Sequence, residues 1–250
     1  MVARTLPASS VMKPPAPQPA WRLENGDRLT LDEFERRYAR MPNGNKAELI
    51  EGVVYMPSPV RNSHSRATSF VTCWLATYAA STPGAEVGDN GTIRLSAHTV
   101  VQPDVHLRLA ARVGGAARVT DDDYIAGPPE LAAEIAMSSV SYDVHTKRRA
   151  YRRSGVREYL IWRLDDGAID WLSLENGDYV ALAPDATGVI RSKVFPGLWL
   201  AAGALLTGDL ATVLSTLQAG LASLEHTEFA KGLAARIAAA ASSPAEDRPA

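Results

Sequence analysis

The chain has 250 residues, 46% of them apolar, a net charge of −2 and a single cysteine. That length supports one substantial core with appendages rather than two full domains. One cysteine excludes an internal disulfide framework, and near-neutral charge excludes nucleic-acid coating through bulk positive charge. No stretch approaches a membrane span, and no long apolar run follows the N-terminal basic residues, so a cytoplasmic protein is expected.

Residues 1–20 contain PPAPQP and offer no core-facing pattern, which predicts a disordered arm. A folded domain is expected over 21–207, followed by a helical or disordered tail over 208–250. In LTLDEFERRYARM, Leu31, Phe34 and Tyr38 recur at helical spacing; Thr30 is the predicted N-cap and Glu33 completes a capping box. AELIEGVVYMPSP predicts a hairpin broken at Glu51-Gly52. From Ser63 to Ala80 the apolar positions Phe70, Val71, Trp74, Leu75 and Tyr78 predict a helix. Cys73 falls in this apolar stretch and reads as a structural thiol.

GAEVGDNGTIRL and TVVQPDVHLRL predict strands, and GGAARVTDDDYIAGPP a polar loop. ELAAEIAM reads as a buried strand, DVHTKRRAYRRSG as a helix ending at Gly155, and EYLIW as another buried strand. AIDWLSLENGDYVAL predicts a hairpin turning at Asn176-Gly177. A strand-helix-strand unit among hairpins predicts an α/β fold: a mixed sheet flanked by helices.

Two acids stand in unexpected places. Asp104 lies in the apolar alternation of VVQPDVHLRL and Glu134 in the middle of LAAEIAM. A buried carboxylate is costly unless it is paired or binds a metal. Two on successive strands would suit Mg²⁺ or Mn²⁺, which takes one or two carboxylates along with waters and phosphate oxygens. The alternative is a structural pair for each acid, for instance with an arginine. In the next helix Asp143, Lys147 and Tyr151 recur at four-residue steps and share a face. There Lys147 would stabilise charge near the acids, or form an ordinary salt bridge on a wet surface. Lys147, Arg148, Arg149, Arg152, Arg153 and Arg157 crowd this segment as a phosphate-contacting patch or a solvated helix face.

ELIEG, a helix beginning near His64, QPDV, PPELAAEIAMSS, D-x3-K-x3-Y and SGVREYLIW follow in an order that resembles the Uma-type restriction endonuclease family of the PD-(D/E)XK nuclease superfamily. The resemblance spans roughly residues 27–207. It implies a restriction endonuclease-like fold and divalent-metal hydrolysis of DNA, with Asp104 and Glu134 as metal ligands and the Ile135 carbonyl as a further one. Ala136 occupies the usual lysine position, so the resemblance nominates Lys147 from the following helix. It also nominates Glu48 as a further catalytic acid and His64, Asp143 and Tyr151 as accessory residues. Arg148, Arg149 and Arg152 would contact flanking phosphates, and a homodimer would provide the two sites of a double-strand cut. Met137-Ser138-Ser139 departs from the family's serine-proline-serine. The rival reading is a non-catalytic DNA- or protein-binding module on the same fold.

Overall fold

The computed structural model describes residues 21–42, 46–56, 60–137 and 143–242, with the backbone alone at 143 and 144. The arm expected over 1–20, the Ser138-Ser139 departure and the last eight positions lie outside the described residues.

Helix α1 (Leu31–Tyr38) starts where expected, with the Thr30 hydroxyl accepting the Glu33 N–H at 3.3 Å. Only half of the capping box forms, because the Glu33 carboxylate turns to Arg36 and Arg37 of its own helix. Strands β1 (Glu48–Ile50) and β2 (Val53–Tyr55) make the predicted hairpin. Helix α2 (Asn62–Ala80) buries Val71, Trp74, Leu75 and Tyr78. Four strands follow: β3 (Ala85–Asp89), β4 (Ile93–Ser96), β5 (Thr99–Val101) and β6 (Val105–Leu109).

The segment expected to be a loop contains β7 (Arg118–Val119) and β8 (Ile125–Ala126), which join the sheet beside β4. Each is two residues long, too short for periodicity to register. Then come β9 (Leu131–Ala136), a π-helical turn (Asp143–Lys147), α3 (Arg148–Ser154) and β10 (Glu158–Arg163). The helix expected in one piece is thus widened over its first turn. Gly155 closes α3 at φ 82°. The hairpin of β11 (Ala168–Glu175) and β12 (Asp178–Ala181) turns at Asn176 and Gly177, both at positive φ. A small pair, β13 (Val189–Arg191) and β14 (Trp199–Ala201), leads into α4 (Ala202–Thr207), α5 (Leu210–Leu221) and α6 (Leu224–Ser242).

The strands form two six-stranded mixed sheets, ordered β2-β1-β5-β4-β8-β7 and β12-β11-β10-β9-β6-β3, and the β13-β14 pair. In the second sheet β9 and β10 are parallel and the other neighbours antiparallel, so the connection carrying α3 must cross over. One face of this sheet, with Leu107, Ala133, Ile135 and Leu160, packs on α2 and on Val213, Leu217 and Leu233 of α5 and α6. The helices after residue 207 therefore extend the core of the preceding segment. The opposite face, with Ala132, Ala136, Tyr159 and Ile161, meets Ile50, Ile93 and Val101 of the first sheet and Tyr151 of α3. The outer face of the first sheet is covered by Phe34 of α1. Among the described residues no helix is long and apolar enough to cross a membrane.

Candidate active site

Every residue of β9 is buried, including Glu134. Alternation along the strand turns Glu134 to the side of Ala132 and Ala136, toward α3 and the first sheet. Lys147 meets it there, its Nζ 2.9 Å from Oε1, and the Tyr151 hydroxyl donates to the same oxygen at 2.7 Å. The four-residue step thus brings Lys147 and Tyr151 together as expected. The wet-surface alternative for Lys147 is excluded, since its side chain is 5% exposed.

Lys147 Nζ also lies 3.1 Å from Oε2 of Glu48. Glu48 shares with Ile50 the side of β1 that faces the second sheet, and its Oε1 accepts the Gln102 N–H at 2.6 Å. One ammonium therefore bridges two carboxylates, one from each sheet. Burial, reinforced by the Glu134 and Glu48 carboxylates, holds the Tyr151 hydroxyl well above its usual range, so it acts as a donor.

Asp104 occupies a bend immediately before β6, not the interior of a strand as expected. Proline at 103 supplies no N–H for a ladder, and pairing starts at Val105 opposite Ala133. One step further along this register, Asp104 is level with Glu134. Its Oδ2 accepts the Ile135 N–H at 2.8 Å and lies 3.2 Å from Nε2 of His64, in the first turn of α2. Thr68 braces that imidazole, its hydroxyl 3.3 Å from Nδ1. Asp104 is thus met by a histidine and a backbone amide and Glu134 by a lysine and a tyrosine, so each acid is paired, as in the structural alternative, with these partners in the place given there to an arginine. Of Asp143 only the backbone is described.

The arginines nominated for phosphate contact lie on the outer side of α3. Arg149 pairs with Glu51 at 2.8 Å and Arg152 with Asp178 at 3.2 Å, while Arg148 reaches the Tyr179 carbonyl at 3.4 Å. The groove beside Asp104 is lined instead by Lys46, His64, Thr68, Thr72, Asp89 and Asn90, among others. Gln102 was not singled out from sequence. Its backbone fixes Glu48 while its amide donates to Tyr38 and Thr92 at 3.0 and 2.9 Å, and the signal available was its place beside Pro103-Asp104.

Among the described residues, no three His, Cys, Asp or Glu side chains group as a metal-binding set. Mg²⁺ requires fewer, one or two carboxylates with waters. The donors here are oxygens, which suit a hard cation. Asp104 and Glu134 supply two such carboxylates, met by His64 on the α2 side and by Lys147 and Tyr151 on the α3 side.

In fold, the chain is similar to a crystal structure described as a putative nuclease belonging to DUF820 from Anabaena variabilis ATCC 29413. The TM-score is 0.52 at 16% identity, over 76% of this chain and 99% of that one. No curated protein matches. The family model described as "Uma2: Putative restriction endonuclease" matches residues 31–203, from α1 through β14 and across every residue of the site described above. The chain belongs to the Uma2 family.

Proposed function

We propose that the protein is a Mg²⁺- or Mn²⁺-dependent endonuclease that hydrolyses phosphodiester bonds in DNA. The observation that carries this reading is Lys147 held between Glu48 and Glu134, with Asp104 at the adjacent strand. Asp104, Glu134 and the Ile135 carbonyl would hold the cation. When bound, such a cation activates water and polarises the phosphate.

The chain's own groups do the rest. Lys147, positioned by two carboxylates and lacking the freedom of a surface lysine, offers a fixed positive charge toward the developing oxyanion. Tyr151 orients the Glu134 carboxylate, and the Gln102 N–H orients Glu48. His64 holds the Asp104 carboxylate from the α2 side. Two copies acting together would cut both strands.

The test is relaxation of supercoiled plasmid in Mg²⁺ or Mn²⁺, with EDTA and Asp104→Ala as controls. Cleavage is expected in the parent alone and to cease with EDTA. A rise in thermal midpoint on adding Mn²⁺, absent in Asp104→Ala, reads the cation independently of turnover. Cleavage surviving EDTA would overturn the mechanism.

The second reading, a binding module that keeps the fold without turnover, is favoured by one observation. Asp104 and Glu134 are already engaged by side chains of this protein, His64 for the first and Lys147 with Tyr151 for the second. DNA binding without cleavage in either cation would establish it.

A further inference from the structure

At the tip of the β1–β2 hairpin the Glu51 side chain reaches across to α3. Arg149 binds it through two nitrogens, Nη2 to Oε2 at 2.8 Å and Nε to Oε1 at 3.3 Å. Arg153, one turn further along the helix, donates to Oε1. Two guanidinium groups therefore converge on one carboxylate. Beside it opens a groove whose walls include His98, Ser96, Ser154 and Arg153.

Two features set this cluster apart from an incidental surface pair. First, Glu51 sits at φ 50° before Gly52 at φ 80°, a turn that favours Asn, Asp or Gly because a longer side chain's Cβ is disfavoured in the left-handed region. The hairpin bears that cost while presenting a long carboxylate to α3. Second, the arginine side chains remain accessible, 48% for Arg149 and 64% for Arg153, so the pair is open to exchange with a competing anion. Planar guanidinium forks match phosphate and carboxylate oxygens alike.

We propose that Arg149 and Arg153 form a clamp for a backbone phosphate away from the reacting one, and that Glu51 is the internal anion this phosphate displaces. The proposal rests on the nucleic-acid reading above. Arg153 of α3 follows Lys147, the last residue of the π-helical turn that leads into it, by six residues. At roughly 1.5 Å per residue that is about 9 Å. It corresponds to about three nucleotides at roughly 3.4 Å each. Glu51 offsets one of the clamp's two positive charges until a strand is present, so an entering anion must displace it to engage both guanidinium groups.

The test uses the full chain in EDTA, where turnover is absent, and a fluorescein-labelled 24-base-pair duplex followed by anisotropy across a NaCl series. Glu51→Gln is expected to bind about 3- to 10-fold tighter than the parent, since one competing anion is gone. Arg149→Ala/Arg153→Ala is expected to bind about 10-fold or more weaker, with a salt slope lower by about 1 to 2. Equal affinity of parent and Glu51→Gln at every salt concentration overturns the clamp, as does a parent that does not bind the duplex. Glu51→Gln decides the matter even where the double variant fails to fold. Cleavage by the parent in Mg²⁺ alongside unchanged binding would sink the clamp and leave the nuclease reading standing. The expected binding pattern with no cleavage would do the reverse.

Discussion

Lys147 crosses from the π-helical turn before α3 to the first sheet to meet Glu48, with 3.1 Å between Nζ and Oε2, while both side chains are almost wholly shielded from solvent. The contact ties two layers that also meet through apolar packing and through the Glu51 ion pairs. Removing the ammonium leaves two buried carboxylates facing each other without their cation. Lys147→Ala should therefore cost about 3–5 kcal/mol in urea unfolding, the scale for breaking a buried ion pair. The folded fraction should cleave at least about 10² more slowly. A variant as stable as the parent would mean that Glu48 and Glu134 do not depend on Lys147.

Tyr151→Phe keeps the ring and removes one hydrogen bond to Glu134. The carboxylate keeps Lys147, so the loss should be smaller, about 1.5–3 kcal/mol, as for a hydrogen bond to a charged group. Cleavage should fall less than in Lys147→Ala. Paired denaturation and rate measurements on the two variants check the ranking.

Gly88 lies opposite His106 on β6. A Cβ at Gly88 would come within 2.5 Å of the His106 ring, and one at Gly91 would lie 3.2 Å from it. The imidazole is buried and fixed in a strand, so it cannot swing aside cheaply. Gly88→Ala should destabilise by about 1–3 kcal/mol through overpacking. Gly167→Ala is the wrong control because its φ is positive; Gly232→Ala, in the open middle of α6, should be neutral or better. Thermal midpoints of the two variants give the comparison.

Glu158 is a buried acid of a different kind. It accepts from Ser192 Oγ, the Lys193 and Val194 N–H groups and Trp171 Nε1. Every one of these partners donates, and an amide would turn its own donors against them. Glu158→Gln should lose about 1–3 kcal/mol while leaving the per-molecule cleavage rate unchanged. A rate change as large as that of a Glu134 variant would place Glu158 in the site.

Glu158 also shows where sequence reasoning reached its limit. An acid inside an apolar strand was legible as unusual, and the reading selected Asp104 and Glu134 on that ground. Glu158 and Glu130 meet the burial criterion equally well, yet each serves backbone or side-chain donors of its own layer; Glu130, for instance, accepts the Leu109 N–H at 2.7 Å. Burial alone does not separate them. What distinguishes Glu134 is a cationic partner delivered by the crossover, and the i,i+4 step from Lys147 to Tyr151 did carry that signal. The long helices, both hairpins and the β9-α3-β10 unit were legible because each has many periodic residues or a turn with a chemical signature. The pairing of Glu48 with Lys147 was not, since it joins segments far apart in the chain. Nor were β7 and β8, or the carboxylates that occupy Arg149 and Arg152.

Two backbone amides beside the site, those of Gln102 and Ile135, donate to side-chain carboxylates, to Glu48 and Asp104 respectively. Their hydrogen exchange is consequently governed by where those carboxylates sit and not only by the opening of the sheet. Whatever draws the Asp104 oxygen away from β9 exposes the Ile135 amide while its neighbours on the ladder remain protected. The fold thus carries a built-in isotope reporter at one backbone position for each acid, readable by nuclear magnetic resonance without any label attached to the site.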